Sequence, residues 1–73
     1  MKEYRLRKFQ VNEESLDLRI VYSRFYKTAE LAMMAAQDDY GTEGVLQWTE
    51  TNSGFFETQQ PTVNYDVKTF EIV

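Results

Sequence analysis

The side chains available for chemistry in this chain of 73 residues are carboxylates, amines, guanidinium groups and phenols, because it contains no His and no Cys. Histidine is the usual general base near neutral pH and the commonest metal ligand, and a cysteine thiolate is a strong nucleophile. Without them no set of nucleophile, base and orienting group can be assembled, and the sequence contains no Gly-rich phosphate loop. The composition therefore predicts a protein that is not an enzyme, with no catalytic residues and no cofactor.

The densest group of carboxylates surrounds a glycine. Asp38, Asp39 and Glu43 lie close to Gly41 in the sequence. Clustered oxygens can hold Ca²⁺, but the ion needs about six to eight converging oxygens and the spacing here matches no EF-hand loop. We therefore predict no metal site and interpret the segment as the solvated end of a helix.

Charge is divided along the chain. The first 27 residues hold seven of the eight basic residues and have a net charge of +3, whereas residues 28–73 have a net charge of −7. An acidic surface can solubilise a protein, or it can attract a basic partner and occupy a groove meant for nucleic acid. We favour a protein partner with a basic surface. The residues predicted to bind it are Asp38, Asp39, Glu43, Glu50, Glu57, Trp48, Phe55 and Phe56.

The chain contains eleven aromatic residues, which is more than a small core can bury. A core of this size takes roughly six or seven of them, so several rings should be exposed, where they commonly bind partners. The rings that we expect to include exposed members are Phe25, Tyr26, Phe55, Phe56 and Tyr65.

The basic residues of the first half suggest an alternative, a small regulator that binds nucleic acid. Cations and rings interleave over residues 2–9, where the former could contact phosphates and the latter could stack on bases. Pairing of these cations with neighbouring carboxylates is favoured, since cross-strand ion pairs are common and the acidic half would repel phosphate. Nucleic acid is therefore the less favoured partner. This alternative uses Lys2, Arg5, Arg7, Lys8, Arg19 and Arg24.

Alternating hydrophobicity predicts an N-terminal hairpin with strands over residues 2–11 and 16–23. In the first strand the apolar positions change parity at Phe9, and near the C-terminus they change again at Phe70. A strand whose inward residues change parity is usually bulged, so we predict bulges near Arg7 and Lys8 and near Lys68.

A helix is predicted from Thr28, a suitable N-cap, to about Tyr40, with Gly41 ending it. Its apolar stripe predicts a buried face. That face comprises Ala29, Ala32, Met33, Ala36 and Tyr40, widened by Leu31, Met34 and Ala35.

Beyond the helix, residues 45–51 and 55–59 around Gly54 predict a second hairpin, and a last strand follows Pro61. The predicted fold class is α+β, one domain spanning residues 1–73 in the order β-β-α-β-β-β. A single, mostly antiparallel sheet of four to five strands would carry one helix on one face. Open sheet edges leave a homodimer or a homo-oligomeric structural protein as a further alternative.

Hydropathy predicts a cytoplasmic protein that does not contact a membrane. The N-terminal residues lack the apolar segment of a signal peptide, and no apolar run approaches the ~18 residues of a membrane span.

Part of the chain resembles a known family. Between residues 28 and 54, alanines follow a threonine at four-residue spacing, and glycines open a strand and close a turn. Together with the opening Met-Lys and the element order, this pattern resembles the small phage-encoded anti-CRISPR proteins that inhibit type I-F systems. The resemblance implies a non-enzymatic inhibitor in the host cytoplasm that binds the CRISPR surveillance complex and keeps target DNA from its cationic groove. The matching residues are Thr28, Ala32, Ala36, Gly44, Glu50, Thr51 and Gly54.

Overall fold

Five strands and one helix form the part of the chain that the computed structural model describes, residues 1–42 and 44–72. All neighbouring strands are antiparallel and form one sheet in the order β2-β1-β5-β4-β3. This confirms the predicted α+β fold and its element order. The elements are β1 (Lys2–Val11), β2 (Leu18–Tyr26), α1 (Ala29–Tyr40), β3 (Thr49–Asn52), β4 (Phe55–Gln59) and β5 (Val63–Glu71).

Local chemistry sets both ends of α1. The Thr28 hydroxyl accepts a hydrogen bond from the Leu31 amide at 3.1 Å, which satisfies one of the free donors of the first turn. At the other end Gly41 has φ of 88°, a conformation that favours glycine, and its N–H donates to the Gln37 carbonyl at 3.0 Å. The predicted bounds of the helix are confirmed.

The core lies between α1 and one face of the sheet. Its small residues, Ala32 and Ala36, let the helix approach β1 and β5 closely. Leu31 and Met34 are 48% and 61% exposed, so the buried stripe is narrower than predicted. The buried apolar residues are Leu6, Ala32, Ala36, Leu46, Tyr65 and Val67.

Of the two predicted bulges, the one near Lys68 is wrong, and the one near Arg7 and Lys8 coincides with a register shift of β1 against β2. β1 pairs with β5 without a break from the Lys2 and Glu71 pair to the Gln10 and Val63 pair. A register shift does occur between β1 and β2, but the extra residue is Val21, in β2. The apolar positions change parity at Phe9 and Phe70 for another reason: both rings lie on the face of the sheet away from α1.

Two strands begin later than predicted. β2 starts at Leu18 because the preceding turn, in which Leu16 has φ of 63°, ends only at Asp17. β3 starts at Thr49, because the Leu46 amide donates to the Gln37 side chain at 2.8 Å instead of pairing with a strand.

Candidate functional site

Helix α1 covers one face of the sheet, and no described element covers the other, which we call the open face. Leu6 is buried beneath the helix, so the alternating neighbours Arg5, Arg7 and Phe9 lie on the open face. Cross-strand partners share a face, which extends the surface to the other strands. The open face comprises Glu3, Arg5, Arg7, Phe9, Val11, Leu18, Ile20, Ser23, Phe25, Phe55, Glu57, Gln59, Asn64, Asp66, Lys68 and Phe70.

Cations and rings are in contact at one end of the open face. The Phe70 ring lies 5.0 Å from Arg5 Cζ and 5.2 Å from Lys68 Nζ, measured to its centroid. Phe25 packs against Phe70 with 6.0 Å between ring centroids. Burial, followed by the positive charge of Arg7, lowers the pKa of Arg5, whose buried Nε has no hydrogen-bond partner in the described residues. The ring of Phe70, not a carboxylate, therefore holds the Arg5 guanidinium.

An ion pair lies at the centre of the open face. Arg7 donates from Nε to Asp66 Oδ1 at 3.0 Å and from Nη2 to Asp66 Oδ2 at 2.6 Å, a bidentate geometry that fixes both side chains. The Arg7 guanidinium also lies 4.9 Å from the centroid of the Phe9 ring. The hydrogen bonds that Arg7 donates to Asp66 raise the pKa of Arg7. Arg7, from the basic first part of the sequence, thus pairs with Asp66 of β5, from the acidic second part, and its charge is neutralised.

A shallow groove of about 250 Å³ runs beside this ion pair. Phe9, Leu18 and Phe55 form its apolar walls, and Asp66 and Glu57 supply carboxylates. A groove with apolar walls and charged groups suits a single side chain of a protein partner better than an enclosed small molecule.

A second polar cluster lies on the helix side of the sheet. Asp39 Oδ2 accepts hydrogen bonds from Lys8 Nζ at 2.6 Å and from the Tyr65 hydroxyl at 2.7 Å. Burial opposes ionisation of Asp39, but these hydrogen bonds and the charges of Lys8 and Arg24 outweigh it and hold the pKa of Asp39 below its usual value. Burial, and then the charge of Asp39, raises the pKa of Tyr22 to about 12. The cluster joins the last turn of α1 to β1 and β5.

The residues predicted to bind a basic partner do not form one surface. Asp38 is exposed on the last turn of α1, and Glu43 lies outside the described residues. The Glu50 carboxylate accepts from the Gly54 amide at 3.2 Å, which stabilises the turn between β3 and β4. The Asp39 carboxylate accepts hydrogen bonds from Lys8 and Tyr65 within the protein.

The remaining members divide between the two faces. Trp48 and Phe56 are partly buried against the core beside α1, whereas Phe55 and Glu57 lie on the open face. Of the rings expected to include exposed members, Phe25 is 56% exposed and Tyr65 is buried.

The alternative basic set is divided in the same way. Arg5 and Arg7 lie on the open face, whereas Lys8 and Arg24 lie on the helix side, where Arg24 stacks over the Tyr22 ring at 4.5 Å. The other two members, Lys2 and Arg19, share the helix side through their cross-strand partners Glu71 and Gln10.

Sequence reasoning missed several open-face residues. The change of parity at Phe9 and Phe70 could have revealed them. Such a change occurs when a strand is bulged, and it also occurs when a strand carries apolar residues on both faces. The missed residues are Phe9, Leu18, Ile20, Lys68 and Phe70.

Within residues 1–42 and 44–72, no group of three or more acidic side chains lies close enough together to hold a metal ion. The single helix there is too short and too polar to cross a membrane. Comparisons of this chain with protein-family models, with curated proteins and with solved structures found no match, so the resemblance to anti-CRISPR proteins stays a prediction.

Proposed function

We propose that this protein is a non-enzymatic binding protein that attaches to a protein partner through the open face of its sheet. The observation that carries the proposal is that three apolar side chains of β2 on the open face, Leu18, Ile20 and Phe25, are 54%, 55% and 56% exposed. Exposed apolar patches of this kind mark interaction sites, and aromatic residues and arginine are enriched where partners bind. The groove beside Arg7 and Asp66 would receive one anchoring side chain of the partner.

The resemblance to anti-CRISPR proteins supplies a class of partner, the type I-F CRISPR surveillance complex of a host cell. An inhibitor of such a complex occupies a cationic groove that otherwise holds DNA. The net charge of −4 supports approach to a basic surface, and Glu57 adds a carboxylate to the open face. The proposed role is therefore that of an inhibitor that excludes nucleic acid by occupying its site.

Biolayer interferometry with purified type I-F surveillance complex tests both parts of this proposal. We expect the protein to bind the complex, and Phe25→Ser or Phe55→Ser to weaken binding at least tenfold, because truncation of a central aromatic anchor costs about 2 kcal/mol or more.

Met34→Ser is the matched control, because Met34 is an equally exposed apolar residue that lies on α1 instead of the open face. No binding by the unaltered protein would refute this class of partner. An equal loss with Met34→Ser would show that the open face is not the binding surface.

Nucleic acid is the second candidate partner, and one observation favours it. Arg5 and Lys68 flank the Phe70 ring, an arrangement that could hold phosphates beside a stacked base. The carboxylates of Asp66 and Glu57 on the same face oppose it. Fluorescence anisotropy with a labelled single-stranded oligonucleotide separates the candidates, since binding that weakens steeply with salt would favour this one.

A further inference from the structure

The outer edge of β2 is open. The strand is nine residues long and pairs with β1 on one side, and no strand of the described chain pairs with the other side. The opposite edge of the sheet, β3, has four residues and a register shift between Glu50 and Asn52. A long open edge presents free backbone donors and acceptors that another extended chain can use, and short or bulged edges resist such pairing.

The side chains of β2 make this edge chemically asymmetric. Leu18, Ile20 and Phe25 project on the open face and are more than half exposed. Arg19 and Arg24 lie on the helix side, opposite Gln10 and Leu6 of β1. The strand contains no acidic residue and no proline. A chain that paired with it would meet apolar neighbours on one face and guanidinium groups on the other.

The bulge at Val21 sets the spacing of the two arginines. They are five residues apart in the sequence, which would place them on opposite faces of a regular strand. Because Val21 is an extra residue, their partners Gln10 and Leu6 are four residues apart on β1, and both arginines lie on the same face. A regular strand added at the outer edge would therefore meet them at positions four residues apart.

We propose that the outer edge of β2 binds an extended acidic segment of another protein as a sixth strand of the sheet. An antiparallel addition continues the pattern of the sheet and places an apolar residue opposite Phe25, acidic residues opposite Arg24 and Arg19, and apolar residues opposite Ile20 and Leu18. Read from its N-terminus, the segment is apolar, acidic, any, any, apolar, acidic, apolar. Opposite charges across a strand pair stabilise it, and backbone hydrogen bonds supply the rest of the affinity.

A second copy of this chain fits the edge poorly. If two β2 strands paired antiparallel with their faces aligned over the full strand, Arg19 of each copy would lie opposite Arg24 of the other. Like charges in directly opposed positions destabilise a strand pair. The β2 edge therefore suits a partner that carries carboxylates where this strand carries guanidinium groups.

The proposal does not depend on the partner of the open face, and a short peptide can test it. The probe is fluorescein-labelled Val-Glu-Thr-Thr-Val-Glu-Val, and its control has the same composition with the two Glu residues adjacent. In fluorescence anisotropy we expect the probe to bind at least tenfold more tightly than the control. No binding at millimolar protein, or equal binding of both peptides, would overturn the proposal.

A charge exchange tests the role of the arginines. We expect Arg19→Glu with Arg24→Glu to weaken binding of the probe at least tenfold and to create binding of Val-Lys-Thr-Thr-Val-Lys-Val. Arg19→Lys with Arg24→Lys should retain binding of the probe. Circular dichroism checks that each variant folds, because Arg24 also contacts the Tyr22 ring. Unchanged affinity in the Glu variant would refute the assigned site.

Two further measurements distinguish other occupants of the edge. Amide exchange measured by NMR should slow in β2 when the probe is present, and protection confined to other strands would contradict edge binding. Sedimentation velocity without peptide should report a monomer. A concentration-dependent dimer that the probe dissociates would assign the edge to a second copy and overturn the proposal.

Discussion

Asp39 illustrates at the scale of one residue why an acidic segment is not automatically an acidic surface. Asp39 and its neighbour Asp38 are both exposed, but the Asp39 carboxylate is also held by Lys8 and by the Tyr65 hydroxyl of the sheet. Adjacent residues of a helix point in directions about 100° apart, so one carboxylate reaches the sheet and the other reaches solvent. The two aspartates, grouped together by sequence, therefore have different roles.

Asp39 should make the unfolding free energy depend on pH in the acidic range. Burial would raise its pKa, but the hydrogen bonds from Lys8 and Tyr65 and the charges of Lys8 and Arg24 hold the pKa in the folded protein below the usual value of 3.8. The unfolded chain therefore takes up the proton first as pH falls, and the stabilisation is present above pH 3.8 and is lost as pH falls through the lower folded pKa. We expect the unfolding free energy, measured by urea titration from about pH 6 to pH 2, to fall less steeply in Asp39→Asn than in the unaltered protein.

Asp38→Asn is the control for this prediction, since it removes the same charge from the adjacent, exposed side chain. Parallel pH profiles for Asp39→Asn and the unaltered protein would contradict the assigned role of Asp39.

At the scale of elements, the helix could be predicted from the sequence because its ends depend on local groups. Thr28 accepts from an amide three residues ahead, and Gly41 adopts a conformation that few other residues tolerate. The start of β3 could not be predicted in this way, because Leu46 is drawn to the Gln37 side chain and to the core by tertiary contacts.

The open face could not be predicted for a related reason. Phe9, Phe25 and Phe70 belong to three strands, and they share a surface only because β1 lies between β2 and β5. The sequence shows only whether each ring follows or breaks the alternation of apolar residues along its own strand. Which face a given parity occupies depends on the strand order and on which side the helix covers, and both are properties of the folded molecule.

The turn between β3 and β4 depends on the conformation of Gly54. Gly54 has φ of 77°, and a Cβ there would lie 3.0 Å from Thr69 Oγ1 and 3.1 Å from Thr69 Cβ. Its carbonyl accepts from the Thr69 amide at 2.8 Å, so the turn cannot shift without loosening β5. We expect Gly54→Ala to lower the unfolding free energy by about 1–2 kcal/mol or more, measured by urea denaturation, because the left-handed conformation alone costs that much.

Gly44→Ala provides the comparison for this turn. Its φ is not in the left-handed region and a Cβ there meets no atom within 4 Å, so the substitution should change stability by less than about 0.5 kcal/mol. Equal effects of the two substitutions would exclude strain at Gly54 as the cause.

At the scale of the whole molecule, strand order redistributes the charge that is divided along the sequence. β1 of the basic half lies beside β5 of the acidic half, so Arg7 meets Asp66 within the sheet. What remains is a gradient from edge to edge, with Arg19 and Arg24 on β2 and Glu50 on β3. The charge split therefore becomes a basic edge at β2 and an acidic edge at β3.

The same strand order makes the last strand essential to the fold. β5 lies between β1 and β4 at the centre of the sheet, and it supplies Tyr65 and Val67, which are buried almost completely. Without it the first hairpin and the second hairpin would share no backbone ladder, and the core would lose two of its largest side chains, each worth about 1.5–3 kcal/mol of burial. At roughly 0.05–0.15 kcal/mol per residue, a chain of 73 residues has about 4–11 kcal/mol of stability to lose.

We therefore expect a chain ended after residue 60 to be unfolded, with a narrow range of amide proton shifts in its NMR spectrum and no cooperative thermal transition by circular dichroism. A chain ended after Glu71 keeps the full length of β5 and should remain folded, which controls for the effect of shortening. The comparison separates two views of the molecule. A folded product from the shorter chain would show that β1, β2, α1 and the second hairpin form a stable unit alone. An unfolded product would show that the contacts between the first and last strands create the sheet and, with it, the open face that carries Phe9, Phe25 and Phe70.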